Sequence, residues 1–195
     1  MPRDTILQSI RRHLPESSPL PDLDGPWITF PDPVAQFTSV LEMIGGRAIR
    51  VPNRDAIRAE LEKLPQFVDS KKTLCDFPEI VASDVELGTV ADPHALEDID
   101  LAILPGQFGV AENAAVWITD AQIPQRVIYF LCQHLALVIP ADQIVNNLYE
   151  AYQRIHFPNP RFGTFIAGPS KTADIEQSLV IGAHGPKSLT VFLVG

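Results

Sequence analysis

Three short segments carry residues whose types and spacing suit chemistry on a small polar ligand. In the first, Ala167-Gly168-Pro169-Ser170-Lys171-Thr172-Ala173-Asp174, the apolar run Thr164–Ala167 meets a Gly-Pro-Ser turn and a predicted helix start. In open α/β sheets ligands sit beyond the carboxyl ends of strands, where loops meet helix N-termini. Free backbone N–H groups there attract phosphate or carboxylate, and Ser170, Lys171 and Thr172 add donors. The same residues also read as an ordinary helix cap, with Ser170 or Thr172 at the N-cap and Asp174 complementing the dipole.

The second segment is Gly182-Ala183-His184-Gly185-Pro186-Lys187, a turn ahead of the last apolar run. Histidine is the side chain best suited to proton transfer near neutral pH and also binds anions. Turn chemistry alone accounts for Gly182 and Gly185, in which case His184 only bonds a carbonyl. The third segment, Gly106-Gln107-Phe108-Gly109-Val110-Ala111-Glu112-Asn113, lies between apolar runs. Glu112 suits a nucleophile or base there, with Asn113 holding a substrate oxygen, or else Glu112 is a solvated loop carboxylate.

Elsewhere the chain offers less. His94 beside Asp92 and the Glu97-Asp98-Asp100 cluster reads as a solvated cap, His134 as a satisfied histidine among apolar residues, and His156 as surface charge. No metal site is expected, because no histidines or cysteines fall at ligand spacing. Two cysteines, Cys75 and Cys132, are too few for the four thiolates of an iron–sulfur cluster, and they read as free thiols. The net charge of −9 with no long basic run argues against a nucleic-acid surface. There is no apolar leader and no run long enough to span a bilayer, so the cytoplasm is the expected setting.

These segments need elements to hold them. Residues 1–33 are expected to form a short amphipathic helix followed by a Pro-rich arm, anchored through Trp27, Ile28 and Phe30. Residues 34–195 are expected to form a single domain. Asp32-Pro33 starts a helix carrying Val34, Phe37, Val40, Leu41 and Ile44, stopped by Gly45-Gly46. Arg47–Val51 reads as a strand, and Asn53 caps a helix with Ile57, Leu61 and Leu64 on one side. Further strands are predicted at Ile80–Ala82, Leu101–Leu104, Ala115–Thr119, Leu135–Ile139, Thr164–Ala167 and Leu189–Val194. Helices are predicted at Asp142–Ile155 and Ala173–Ile181, with an irregular loop at Gly106–Asn113 where part of the sheet turns antiparallel. Runs apolar on both faces suit a three-layer α/β/α domain with a largely parallel sheet.

The run Ala167-Gly168-Pro169-Ser170-Lys171-Thr172-Ala173-Asp174-Ile175-Glu176, followed by Gly182-Ala183-His184-Gly185-Pro186, resembles the signature of the LUD-domain family, lactate-utilisation proteins of the LutC/YkgG type. Gly109-Val110-Ala111-Glu112 and Ala141-Asp142-Gln143-Ile144-Val145 match it in order, so the resemblance spans residues 106–194. It implies a fold similar to the NagB/RpiA/CoA-transferase-like architecture and a role in oxidising L-lactate to pyruvate beside iron–sulfur partner subunits. This chain would be the cluster-free component, binding a small anionic metabolite near Gly168, Ser170, Lys171, Thr172, Asn113 and Gly185, with Glu112 and His184 as catalytic candidates. No cofactor is specified. Two alternatives stay open. One is an independent CoA-transferase-like or sugar-phosphate-isomerase-like enzyme using Glu112; Glu112-Asn113 resembles the Glu-Asn-Gly loop of CoA transferases, with Ala114 in place of the glycine. The other is a non-catalytic interaction domain.

Overall fold

Apolar periodicity and a few well-placed caps decide most of the elements in the computed structural model, which describes residues 3–23, 25–156, 162–172 and 180–195. Helix α1 (Arg3–Arg12) buries none of its side chains. Helix α2 (Pro33–Met43) begins where Asp32 Oδ1 accepts the Ala35 N–H at 3.0 Å, and it buries Phe37 and Leu41. It stops at Gly45, whose φ of +89° suits a residue without a Cβ. Strand β1 (Arg47–Val51), helices α3 (Asp55–Leu61) and α4 (Pro65–Val68), and strand β2 (Thr73–Cys75) follow. Then come β3 (Leu101–Pro105), β4 (Phe108–Val110), β5 (Ala115–Thr119), α5 (Ile128–Leu131), β6 (His134–Pro140), β7 (Ile144–Val145) and α6 (Leu148–Arg154). The chain closes with β8 (Gly163–Ile166), β9 (Lys171–Thr172), β10 (Val180–Ile181) and β11 (Ser188–Val194).

Strands β1, β11, β6, β3 and β2 lie side by side in that order, all parallel. Both faces are covered, so successive residues of one strand enter different cores. Leu135, Leu137 and Ile139 of β6 pack with Phe37 and Leu41 of α2, whereas Ala136 and Val138 pack with Ile57 and Leu61 of α3. This is the expected α/β class with a parallel central sheet. A second sheet, β7-β4-β5-β8, adds a layer beside α2. Val116 and Ile118 on its inner face join the α2 core, while Phe108, Trp117 and Phe165 on its outer face pack with Ala151 of α6.

Several expectations are corrected. The predicted antiparallel pairing does not belong to the central sheet: β4–β5 and β5–β8 form it in the second. Gly106–Asn113 is not irregular throughout, since it contains β4. Ile80–Ala82 is not a strand; a turn donating the Ile80 N–H to Phe77 O buries Ile80, and the edge strand is Thr73–Cys75. The helix predicted from Asp142 begins only at Leu148. Residues 144–145, both β-branched, pair with β4 instead, and Asn147 Oδ1 accepts the Glu150 N–H at 2.9 Å to start α6.

The helix predicted at Ala173–Ile181 is not observed at its end, because Val180 and Ile181 pair antiparallel with Thr172 and Lys171. Residues 173–179 lie outside the described residues. Ser170 therefore directly precedes strand β9. Near the other end of the chain, the Phe30 N–H donates to Asn146 Oδ1 at 2.9 Å and Asn147 Nδ2 donates to Ile28 O at 2.8 Å. Trp27 stacks on Tyr149 with ring centroids 5.1 Å apart.

Candidate functional site

Two Gly-Pro turns that are distant in sequence are laced together in space. The Ser170 N–H donates to Pro186 O and the Gly182 N–H donates to Ser170 O, both at 2.9 Å. A Cβ on Gly185 would stand 3.0 Å from Ser170 Cβ, so the turns touch through bare backbone. Gly168 has a φ of +70°, and a side chain there would meet Ile44 O at 3.2 Å. Between these turns and α5 lies a cleft of about 310 Å³, lined among others by Tyr129, Gly168, Ser170, Lys171, His184 and Gly185. No described residue forms a hydrogen bond or ion pair with the Ser170 hydroxyl, the Lys171 ammonium or the His184 ring. Lys171 Nζ lies 3.9 Å from where a Gly45 Cβ would be, over the carboxyl end of α2, where the helix dipole favours a cation.

Glu112, Asn113 and Thr172 do not line this cleft. Glu112 Oε2 accepts the Leu148 N–H at 3.0 Å, so the carboxylate sits at the positive end of α6. Asn113 Oδ1 accepts the Ala115 N–H at 3.1 Å and closes a turn in which Ala114 has a φ of +55°. Thr172 is half-buried in β9. The pairing of Val116 with Ile166 brings the Glu112 turn and the Gly168 turn to the same end of the second sheet. They are neighbours, but the Glu112 carboxylate is already spoken for by α6.

A second cleft escaped the sequence reading. The rule that ligands sit beyond strand carboxyl ends concerns the parallel sheet, whereas β8 belongs to the other one. The parallel strands end at a cleft of about 550 Å³ lined by Arg54, Asp76, Glu79, Gly106, Gln107 and Gln122 together with apolar neighbours. Arg54 Nη1 lies 3.5 Å from Glu79 Oε1, and its guanidinium covers the Phe77 ring at 5.0 Å. Partial burial, and then the charge of Glu79, push the Asp76 carboxyl above the ordinary range. Gly106 bridges the sheets: its N–H donates to Val138 O while the Gln107 N–H donates to Trp117 O. A Cβ on Gly106 would fall 2.5 Å from Ile139 Cγ2 and 2.6 Å from Val116 Cγ1. The available signal was the polar residue just past each strand: Arg54 after β1, Asp76 after β2 and Gln107 after β3.

Tyr129 stands between the two clefts. Its ring lines the first, and its hydroxyl donates to the carbonyl of Pro105, which lines the second, at 3.1 Å. Burial, with the charge of Asp76 behind it, holds the phenol well above its usual range. Burial also pushes the Cys132 thiol up to about 12 and raises that of Cys75, so neither is a ready thiolate. At the amino ends of the parallel strands, His134 Nδ1 and Ser188 Oγ share a hydrogen bond of 2.8 Å across the β6–β11 pair. His94 bonds the Asp92 carboxylate at 2.7 Å in an exposed cap. Among the described residues no cluster of side chains suits a metal ion, and no helix is long and apolar enough to cross a membrane.

The chain is similar to proteins named lactate utilization protein C. That of Oceanobacillus iheyensis is 29% identical over 104 residues, and that of Anoxybacillus flavithermus is 32% identical over 102. Those alignments cover 50% and 52% of this chain but only 45% and 46% of the relatives. The chain thus spans under half the length of these relatives. In three dimensions it resembles the crystal structure of a DUF162 family protein from Deinococcus radiodurans. The TM-score is 0.62 at 16% identity, over 84% of this chain and 96% of the other, which is a likeness of fold. Residues 91–194, more than half of the sequence and all of the cleft between the Gly-Pro turns, match the LUD domain model; the chain belongs to the LUD-domain family.

Proposed function

We propose that this chain serves in lactate utilisation as a cluster-free component whose turn cleft holds a small carboxylate, L-lactate or pyruvate. One observation carries the reading. Ser170, Lys171 and His184 line one cleft within the family-matched residues, and among the described residues no acidic side chain lines it with them. A hydroxyl, an ammonium and an imidazole around two Gly-Pro turns suit a carboxylate flanked by a hydroxyl or keto oxygen. The names of the relatives supply the metabolic setting. Oxidising lactate to pyruvate removes two electrons and two protons, and two buried cysteines are too few to hold a cluster. In this reading an iron–sulfur partner receives the electrons while this chain binds and orients the substrate. The setting is the cytoplasm, which suits free thiols.

Glu112 enters this reading as a positioning residue, because its carboxylate holds the start of α6. Calorimetric titration with L-lactate and pyruvate tests the assignment. Ser170→Ala and His184→Ala are each expected to weaken binding about tenfold with the melting temperature unchanged. Glu112→Gln leaves the affinity alone and costs no more than about 1 kcal/mol of stability. Loss of binding on Glu112→Gln with no loss on His184→Ala would move the chemistry to Glu112 and favour the transferase-like alternative. Binding of neither acid would leave the carboxylate reading without support.

A further inference from the structure

We infer that the cleft at the carboxyl ends of the parallel strands is a second small-molecule site, built for a neutral hydroxyl-rich ligand such as a sugar or polyol. Residues from all five strand exits meet there. Arg54 follows β1, Asp76 follows β2, Gly106 and Gln107 follow β3, Pro140 ends β6 and Val194 ends β11. Open parallel sheets place ligands at these ends because the loops diverge and leave a crevice. The volume of about 550 Å³ falls within the range of small-molecule sites.

The chemistry of the lining selects the ligand. Two carboxylates, Asp76 and Glu79, face one guanidinium, Arg54, which already reaches Glu79. The cleft is negative in a chain that is itself negative, so an anion is repelled. A simple amine would satisfy the carboxylates but would give the amide N–H groups of Gln107 and Gln122 no acceptor. A hydroxyl both donates and accepts. It donates to Asp76 and accepts from the amides, while Pro140, Val138 and Ile139 offer apolar surface to the C–H face of a sugar. Partial burial of Asp76 strengthens its bond to a hydroxyl over water. Three of these residues, Arg54, Asp76 and Glu79, fall outside the family-matched segment, so the site is separate from the carboxylate reading above.

Saturation-transfer NMR on the whole chain tests the inference, with D-ribose, D-glucose and sorbitol as probes, putrescine as the amine and L-lactate as the anion. Transfer to at least one polyol is expected. Asp76→Asn, which keeps the side-chain shape, and the exposed Gln107→Ala are each expected to reduce it about tenfold. His184→Ala should leave it unchanged. The inference is overturned by silence from all three polyols, by a stronger signal from putrescine, by signals that survive both substitutions, or by signals lost with His184→Ala. L-lactate transfer that ignores Asp76→Asn but fails in His184→Ala belongs to the turn cleft and supports the separation of the two sites.

Discussion

The turn cleft and the strand-end cleft differ in origin as well as in charge. The first is assembled from two segments, Ala167–Lys171 and His184–Pro186, tied by backbone hydrogen bonds beside α5, and its polar side chains are a hydroxyl, an ammonium and an imidazole. The second draws one to three residues from each of several chain segments distant in sequence, and carboxylates outnumber its single guanidinium. A local site can leave a compact signature in sequence. A site made by topology cannot, because its residues become neighbours only when the sheet forms. The family match follows the same division, taking in all of the first cleft and only part of the second.

The sharpest way to break this contrast is through the glycines. Gly106→Ala drives a methyl group into the branched side chains of Ile139 and Val116, in two different sheets, so neither can yield without moving its strand. A loss of about 1–3 kcal/mol is expected, read as a lower urea midpoint. Gly185→Ala crowds Ser170, at 3.0 Å, and otherwise makes an ordinary contact with Phe130 O at 3.9 Å, so it should cost less than that while narrowing the turn cleft. Equal losses would mean that the turn cleft is as deeply built into the core as the other.

Tyr129→Phe asks whether the shared wall matters to both sites. It leaves the ring in place and strips Pro105 O of its donor, an expected loss of about 0.5–1.5 kcal/mol in thermal or urea unfolding. An unchanged midpoint would show that the Pro105 carbonyl finds water instead.

The smallest expected effect lies at His134, which lines neither cleft. Burial, then Lys187, lowers its pKa, with Asp100 acting in the opposite sense. The unfolded chain therefore binds the proton more readily than the folded one. Its stabilising contribution is full above the ordinary histidine pKa, about 6.5, and declines as pH falls from there through the lowered folded value. His134→Gln should flatten that part of the stability–pH curve, measured by urea unfolding at several pH values. A slope identical to that of the parent would assign the pH dependence elsewhere.

What could be read from sequence follows from how local each signal is. The cap at Asp32-Pro33 and the stripe through Phe37 and Leu41 reside in consecutive residues, and helix α2 appears where they place it. The strands β3, β5, β6 and β11 announce themselves as apolar runs because each is buried on both faces. Strands β2, β4 and β7, with three residues or fewer, carry too little periodicity to stand out, and pairing decides them. Ser170, Lys171, His184 and Gly185 stand out from turn chemistry and do share a cleft, although Val180 and Ile181, at the end of the predicted helix, pair as a strand with Thr172 and Lys171. Glu112 was named for its chemistry, but its partner, the Leu148 N–H, lies 36 residues away and no local pattern announces it.

The knot at the start of α6 has a practical bearing on where this protein can be cut. Asn146 and Asn147 hold Phe30 and Ile28, Tyr149 holds Trp27, and Glu112 reaches the same turn from another loop. Removing everything before residue 34 would strip each of the two asparagines of one partner and bare an aromatic ring. A shortened chain that begins at Trp27 keeps them. The working edge of the domain therefore lies inside the proline-rich arm, several residues ahead of the first buried helix.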